Sequence, residues 1–267
     1  MSVLCVAVHP TLDILFTGGA DGNLIFWQLS TGKQRRISNL GLENILDLSC
    51  TSLYLAASTK KNVAVVYEIT LTMRDTHIIP KVRLTHKAAV NAVLVHPGNQ
   101  FVVTASGDGE IKFWDVKGWA CVRSMTGHSR GIACLALSHS GKHLISGSAD
   151  NTCRIWDLAS GGQIACLVSH SNLVRSVCVG RDANGNDIII SGSYDGFVMV
   201  WSQVKTPEGI DVWYVREKFD VREMLKWRNP AHVVEGRDNR VFRVCWDKVK
   251  KEVVVATQRG HVAAWNL

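Results

Sequence analysis

Three arginines, Arg130, Arg175 and Arg240, stand in similar local settings, HSRGIACL, NLVRSV and NRVFRV, each at the start of a short apolar run. A guanidinium is a planar fork of donors that meets phosphate or carboxylate with paired, charge-assisted hydrogen bonds. Each hydrogen bond to a charged group contributes roughly 1.5–3 kcal/mol, enough to separate a phosphorylated ligand from its plain counterpart. The formal net charge of +7 points the same way, towards acidic or phosphorylated partners, although it is scattered and forms no basic tail. Taken singly, any of the three could equally be a surface arginine with no ligand.

Other chemistry has little foothold. No P-loop, HExxH or Cys–His constellation occurs, so an enzyme is not expected and no cofactor is implied. His9-Pro10 and His96-Pro97 read as turns, and His86, His128 and His170 recur one per repeat, too dispersed for a metal cluster; no metal is expected. Of the eight cysteines, Cys5, Cys134, Cys178 and Cys245 recur at similar points on predicted inner strands, where cysteine acts as a small hydrophobe. There is no CxxC pair, which suits reduced thiols in a cytoplasmic or nuclear protein. The start, MSVLCVAV, lacks the pattern of a signal peptide, and no apolar run is long enough to span a membrane.

The elements that would position the arginines form a repeat. LFTGGADGNLIFWQL, VVTASGDGEIKFWDV, LISGSADNTCRIWDL and IISGSYDGFVMVWSQ each run strand, turn with Asp, strand, aromatic. Asp21 to Trp27, Asp108 to Trp114, Asp150 to Trp156 and Asp195 to Trp201 are all six residues apart. Lys61 to Tyr67 and Arg259 to Trp265 keep the spacing in two degenerate copies. An upstream marker precedes the turn: His86 lies 22 residues before Asp108, Gly127-His128 22 before Asp150, and His170 25 before Asp195. In the last copy Gly236-Arg237 takes that place, 22 residues before Arg259.

This unit resembles the WD40 repeat, with the Trp-Asp pair itself present in FWDV and IWDL. The resemblance implies an all-β fold, a WD40 β-propeller with six readable four-stranded blades, in one domain over 2–267. It also implies a buried network of His128, Asp150, Ser146 and Trp156, and of His86, Asp108, Thr104 and Trp114. Copies two and six lack the Asp and are expected to be the softer blades. Counting back from Asp21 starts the chain inside an innermost strand, and the last copy lacks its outer strand, so a seven-bladed ring cut short is expected. The surplus over 203–235 reads as an insertion with a short helix, about Val221 to Arg228, ended by Asn229-Pro230.

The longer string VRSMTGHSRGIACL, SGSADNTCRIWD, NLVRSV, SGSYDGFVMVW and NRVFRV, with KAAVNAV and SVLC upstream, is similar to the F-box/WD substrate receptors of the beta-transducin-repeat-containing (β-TrCP, Slimb) type. Such proteins serve SCF-type (cullin–RING) ubiquitin ligases. Their propeller grips a doubly phosphorylated Asp-Ser-Gly peptide, and an F-box before it binds the Skp adaptor. By motif, Arg130, Gly131, Arg175, Tyr194 and Arg240 match peptide-contacting positions, and Ser2 and Asn91 match flanking contacts. On such a ring the three arginines would enter one mouth from consecutive blades. Ala20 and Ala149 replace two family serines, and no F-box precedes Met1, so a Skp/cullin link would need that missing part. A general scaffold without phosphate selectivity, acting through the same face or the 203–235 segment, is the alternative. Nucleic acid rests on charge alone and is not expected.

Overall fold

The computed structural model describes residues 2–39, 44–71, 76–208, 211–223, 239–258 and 260–266. They form six antiparallel sheets, each a meander in which consecutive strands pair. The first holds β1 (Val3–Val8), β2 (Ile14–Gly19), β3 (Asn23–Gln28) and β4 (Gln34–Asn39), and the second β5 (Ile45–Cys50), β6 (Tyr54–Thr59), β7 (Val63–Leu71) and β8 (Thr76–Thr85). The third holds β9 (Val90–Val95), β10 (Phe101–Ser106), β11 (Ile111–Asp115) and β12 (Cys121–Met125). The fourth holds β13 (Ile132–Leu137), β14 (His143–Ser148), β15 (Thr152–Asp157) and β16 (Gln163–Val168). The fifth holds β17 (Val174–Arg181), β18 (Asp187–Ser193), β19 (Phe197–Lys205) and β20 (Asp211–Asp220). In the sixth, β21 (Val241–Asp247), β22 (Glu252–Thr257) and β23 (Val262–Asn266) make three strands among the described residues. Each copy of the repeat is thus one sheet, with the Asp turn joining its second and third strands.

Two compact units divide the chain, Met1–Ile132 and Ala133–Leu267. In the first, Phe16, Leu24, Ile45, Leu55 and Tyr67 are buried together, and Val66, Val93, Val102 and Trp114 form a second cluster. In the second, Ile145, Ile155, Ile189 and Met199 form one cluster and Ile190, Val200, Val241 and Val255 another. Burying one such aliphatic side chain contributes about 1.5–3 kcal/mol, so these contacts between successive sheets hold each unit together.

Small residues let the sheets approach. A Cβ on Gly192 would strike the side chains of Val241 and Val244, and one on Gly18 would lie 2.6 Å from Ile45. The first strands are also stapled to one another by side chains. Asp47 accepts from the Val93 N–H (3.2 Å), Ser49 from Val95 (2.9 Å) and Ser176 from Val244 (3.1 Å).

Several sequence expectations need refinement here. The cysteines do lie on first strands, but Cys5 and Cys134 share one buried position whereas Cys178 and Cys245 share another. Cys245 is exposed, so the small-hydrophobe reading fails there. Residues 203–205 and 211–220 continue β19 and β20, so the first half of the expected insertion is a lengthened hairpin. Residues 221–223 are helical, and the rest of the expected helix lies outside the described residues. No helix among the described residues is long and apolar enough to cross a membrane.

In copies two and six the central hydroxyl of the network is replaced as well as the Asp. At the place held by Thr104, Ser146 and Ser191 stand Ala57 and Val255, both fully buried.

Candidate functional site

The turns that carry the candidate residues are fixed by a repeated polar network. In the fifth sheet His170 Nδ1 lies 2.9 Å from Asp195 Oδ2 and Nε2 lies 2.8 Å from Ser191 Oγ, which accepts the Trp201 indole N–H at 2.9 Å. One tautomer satisfies every group: Nδ1–H donates to the carboxylate, and Nε2 accepts from the hydroxyl. Asp195 also accepts the Ser171 and Phe197 N–H groups at 3.0 and 2.9 Å. Burial opposes the charge on Asp195, yet the His170 contact and these N–H donors hold its carboxyl below the ordinary value.

The third sheet repeats this with His86, Asp108, Thr104 and Trp114, at 3.3 Å for His86–Asp108 and 2.7 Å for His86–Thr104. In the fourth, Trp156 donates to Ser146 at 2.8 Å and Asp150 accepts the Thr152 N–H at 3.0 Å. His86, Asp108 and Glu110 place ligating atoms within 4.8 Å of one another, the spacing of a metal site. Hydrogen bonds already occupy the group: Asp108 accepts from the backbone of Lys87 and Glu110, and His86 is held between Asp108 and Thr104.

The network sets Tyr194 in place, because Tyr194 immediately precedes Asp195 and its N–H donates to the Leu173 carbonyl at 3.0 Å. Arg175 is placed by a second recurring device. The first strand slips register by one residue, leaving its second residue without a partner across the sheet. Arg175 is that residue between the Val174–Ser193 and Ser176–Gly192 pairs, Phe242 between Val241–Thr257 and Arg243–Ala256, and Asn91 between Val90–Ser106 and Ala92–Ala105. A bulge frees a side chain from the pleat and re-aims it.

The second unit holds two guanidinium–ring pairs, one of them between the two slipped positions. The Arg175 guanidinium lies over the Phe242 ring at 4.8 Å, and Arg240, one residue before β21, lies over the Tyr194 ring at 5.2 Å. Neither guanidinium is paired with a carboxylate among the described residues. Stacking engages the face of a guanidinium and leaves its in-plane N–H groups able to donate. The result is two oriented, uncompensated cations on neighbouring strands, suited to an anion with several acceptor oxygens.

The remaining candidates lie in the first unit. Arg130 is exposed, and its carbonyl lies beside the Gly109 turn. Gly131 has a steric duty that the sequence did not reveal: a Cβ there would sit 3.0 Å from the Gly107 Cα. Asn91 donates to the Ile132 carbonyl at 2.7 Å, so part of its amide is committed to the backbone. Ser2 is exposed and its carbonyl accepts the Ala20 N–H at 2.9 Å. By position, Ser2, Gly131 and Arg240 all stand just before a first strand, and Asn91, Arg175 and Phe242 are all second residues of one. Sequence reasoning missed Phe242, although NRVFRV puts it two residues from Arg240 and beside a bulge-forming pattern shared with NLVRSV.

The profile of the WD40 repeat (WD domain, G-beta repeat) matches residues 1–28, 80–115, 119–157 and 161–202. The nuclear distribution protein nudF of Aspergillus niger is 23% identical over 295 residues, covering 97% of this chain and 62% of the relative. Autophagy-related protein 16 of Arabidopsis thaliana is 32% identical over 278 residues, covering 99% of this chain and 47% of the relative. Pre-mRNA-processing factor 19 of Mus musculus is 26% identical over 158 residues, covering 58% and 30%. The chain therefore spans roughly half to three-fifths of the length of the first two relatives.

Proposed function

The chain belongs to the WD40 repeat family, a protein–protein interaction module, and we propose that it recognises phosphorylated peptides through Arg175 and Arg240, as the substrate-binding propeller of an SCF-type F-box/WD ubiquitin ligase receptor. The observation that carries the peptide reading is the pair of guanidiniums lying over Phe242 and Tyr194 with no carboxylate among the described residues to neutralise them. A phosphoserine brings close to two negative charges and three acceptor oxygens, which match in-plane guanidinium donors far better than a serine hydroxyl does. Arg130, Gly131, Asn91 and Ser2 join the proposal by motif. The ligase part rests on the motif string alone, since the relatives named above carry other names.

A titration of the chain with a doubly phosphorylated Asp-Ser-Gly peptide and with its unphosphorylated counterpart tests this reading. Binding of the phosphorylated peptide alone, weakened by Arg240→Ala, supports it, whereas equal binding of both peptides overturns it.

A second reading, a general WD40 scaffold without phosphate selectivity, is favoured by the relatives themselves. Proteins named for nuclear distribution, autophagy and pre-mRNA processing share the repeat with this chain. On that reading the plain and phosphorylated peptides bind alike or not at all.

A further inference from the structure

Each four-stranded sheet ends in a fourth strand whose outer edge pairs with no other strand among the described residues. All five of these strands carry the same irregularity, one extra residue inserted opposite the aromatic of the repeat. It is Arg35 opposite Trp27, Lys81 opposite Tyr67, Val122 opposite Trp114, Ile164 opposite Trp156 and Arg216 opposite Trp201. Bulges and charged side chains both keep an open edge from templating another strand. Arg35, Lys81 and Arg216 join the two devices in one residue, and β12 carries Arg123 beside its Val122. β16, with the sequence QIACLV, has no charged residue at all.

What β16 presents instead is apolar. Ile164 is 44% exposed and Val168 69%, and the free thiol of Cys166 between them is exposed, while Leu167 anchors the strand in the core. A short uncharged strand without proline, rich in aliphatic and β-branched residues, is a segment suited to pairing with its own copy. The same strand of a second molecule answers each exposed group. In an antiparallel pairing centred on Cys166, a twofold axis sets Ile164 opposite Val168 of the second copy, and Val168 opposite its Ile164. Cross-strand pairs of β-branched side chains of this kind stabilise a sheet. Any other fourth strand described here would set an Arg or Lys against this edge.

We propose that the chain self-associates through β16, two copies pairing their open edges antiparallel about Cys166 into one eight-stranded sheet. The contact is a single strand wide, so it is weak and depends on concentration. The axis brings the two Cys166 Cα atoms to about 4.5 or 5.5 Å, according to whether that pair is hydrogen-bonded, and a disulfide spans either. Cys166 therefore reports the pairing without being needed for it. The proposal is independent of the arginine pair and of any phosphate.

The test is sedimentation velocity of the full chain over a concentration series under reducing conditions, beside Val168→Lys. That substitution falls at an already exposed position, and a matching urea midpoint shows that the variant folds. The proposal expects a reversible dimer in the wild type and association weaker by about tenfold or more in Val168→Lys. Diamide, which takes up the two hydrogens as two Cys166 thiols join, should trap the dimer in a Cys121→Ser, Cys245→Ser variant, where Cys166 is the one exposed thiol left among the described cysteines. Adding Val168→Lys should slow that trapping in proportion. A chain that stays monomeric throughout the series overturns the proposal, whether or not its edge takes some other strand. So does a dimer, or a rate of trapping, that Val168→Lys leaves unchanged.

Discussion

Arg175 and Phe242 hold the same place on neighbouring strands, the unpaired second residue of β17 and of β21, and the guanidinium carbon of one lies 4.8 Å from the ring centroid of the other. The register slip that frees both residues is therefore also what stacks them. An exposed cation–π contact contributes about 0.5–1 kcal/mol, so Phe242→Leu should weaken phosphopeptide binding by roughly two- to fivefold while keeping an apolar side chain. In an Arg175→Ala background the same substitution should have no further effect. Isothermal titration of the four proteins closes that cycle.

Asp195 anchors the turn that carries Tyr194. Asp195→Ala would strand the His170 imidazole and the N–H groups of Ser171 and Phe197 together. Loss of such a buried acceptor should cost about 2–4 kcal/mol, read as a lower urea midpoint with an unchanged slope. Phosphopeptide affinity should fall with it, because Tyr194 loses its fixed mount under Arg240.

Gly131 provides a separation of roles. Gly131→Ala places a methyl 3.0 Å from the Gly107 Cα, a backbone atom that cannot turn aside. Overpacking of this kind should destabilise by about 1–3 kcal/mol in thermal or urea unfolding. Unchanged stability together with lost peptide binding would instead make Gly131 a contact residue in its own right.

Stability should fall in two steps as the solution is acidified. Burial holds the His86 imidazole below its ordinary value of 6.5, and the nearby Asp108 carboxylate only partly offsets this. A depressed folded pKa gives stability that is complete above about 6.5 and is lost as the pH falls through the folded value. The Asp108 and Asp195 carboxyls, held below 3.8 by N–H donors and their histidines in spite of burial, add a second loss below that value. Urea midpoints across this range check both steps, and His86→Gln should flatten the upper one. A midpoint that rises from neutral pH to pH 5.5 would contradict the assignment.

Much of the fold could be read in the chain because its signals are local. The six-residue step from Asp to Trp fixes the turn between second and third strands, and the His markers locate the partner of that Asp. The arginines were visible for the same reason, as neighbours of the marker. The bulge was not, since it is a relation between two strands and leaves no spacing in either. Phe242 consequently carried no signal of its own, and neither did the closeness of Gly131 to Gly107. The lengthened β19–β20 hairpin looked like an insertion because its surplus residues were counted without their pairing.

The central claim is that Arg175 and Arg240 distinguish phosphorylated from plain peptide. Its most direct test is the ratio of dissociation constants for the plain and doubly phosphorylated Asp-Ser-Gly peptides, in the wild-type chain and in an Arg175→Ala, Arg240→Ala double variant whose urea midpoint matches the wild type. With about 1.5–3 kcal/mol from each charged contact, the wild-type ratio should exceed a hundredfold and collapse towards unity in the double variant. A ratio near unity in the wild type, or one that survives the loss of both arginines, would contradict the account.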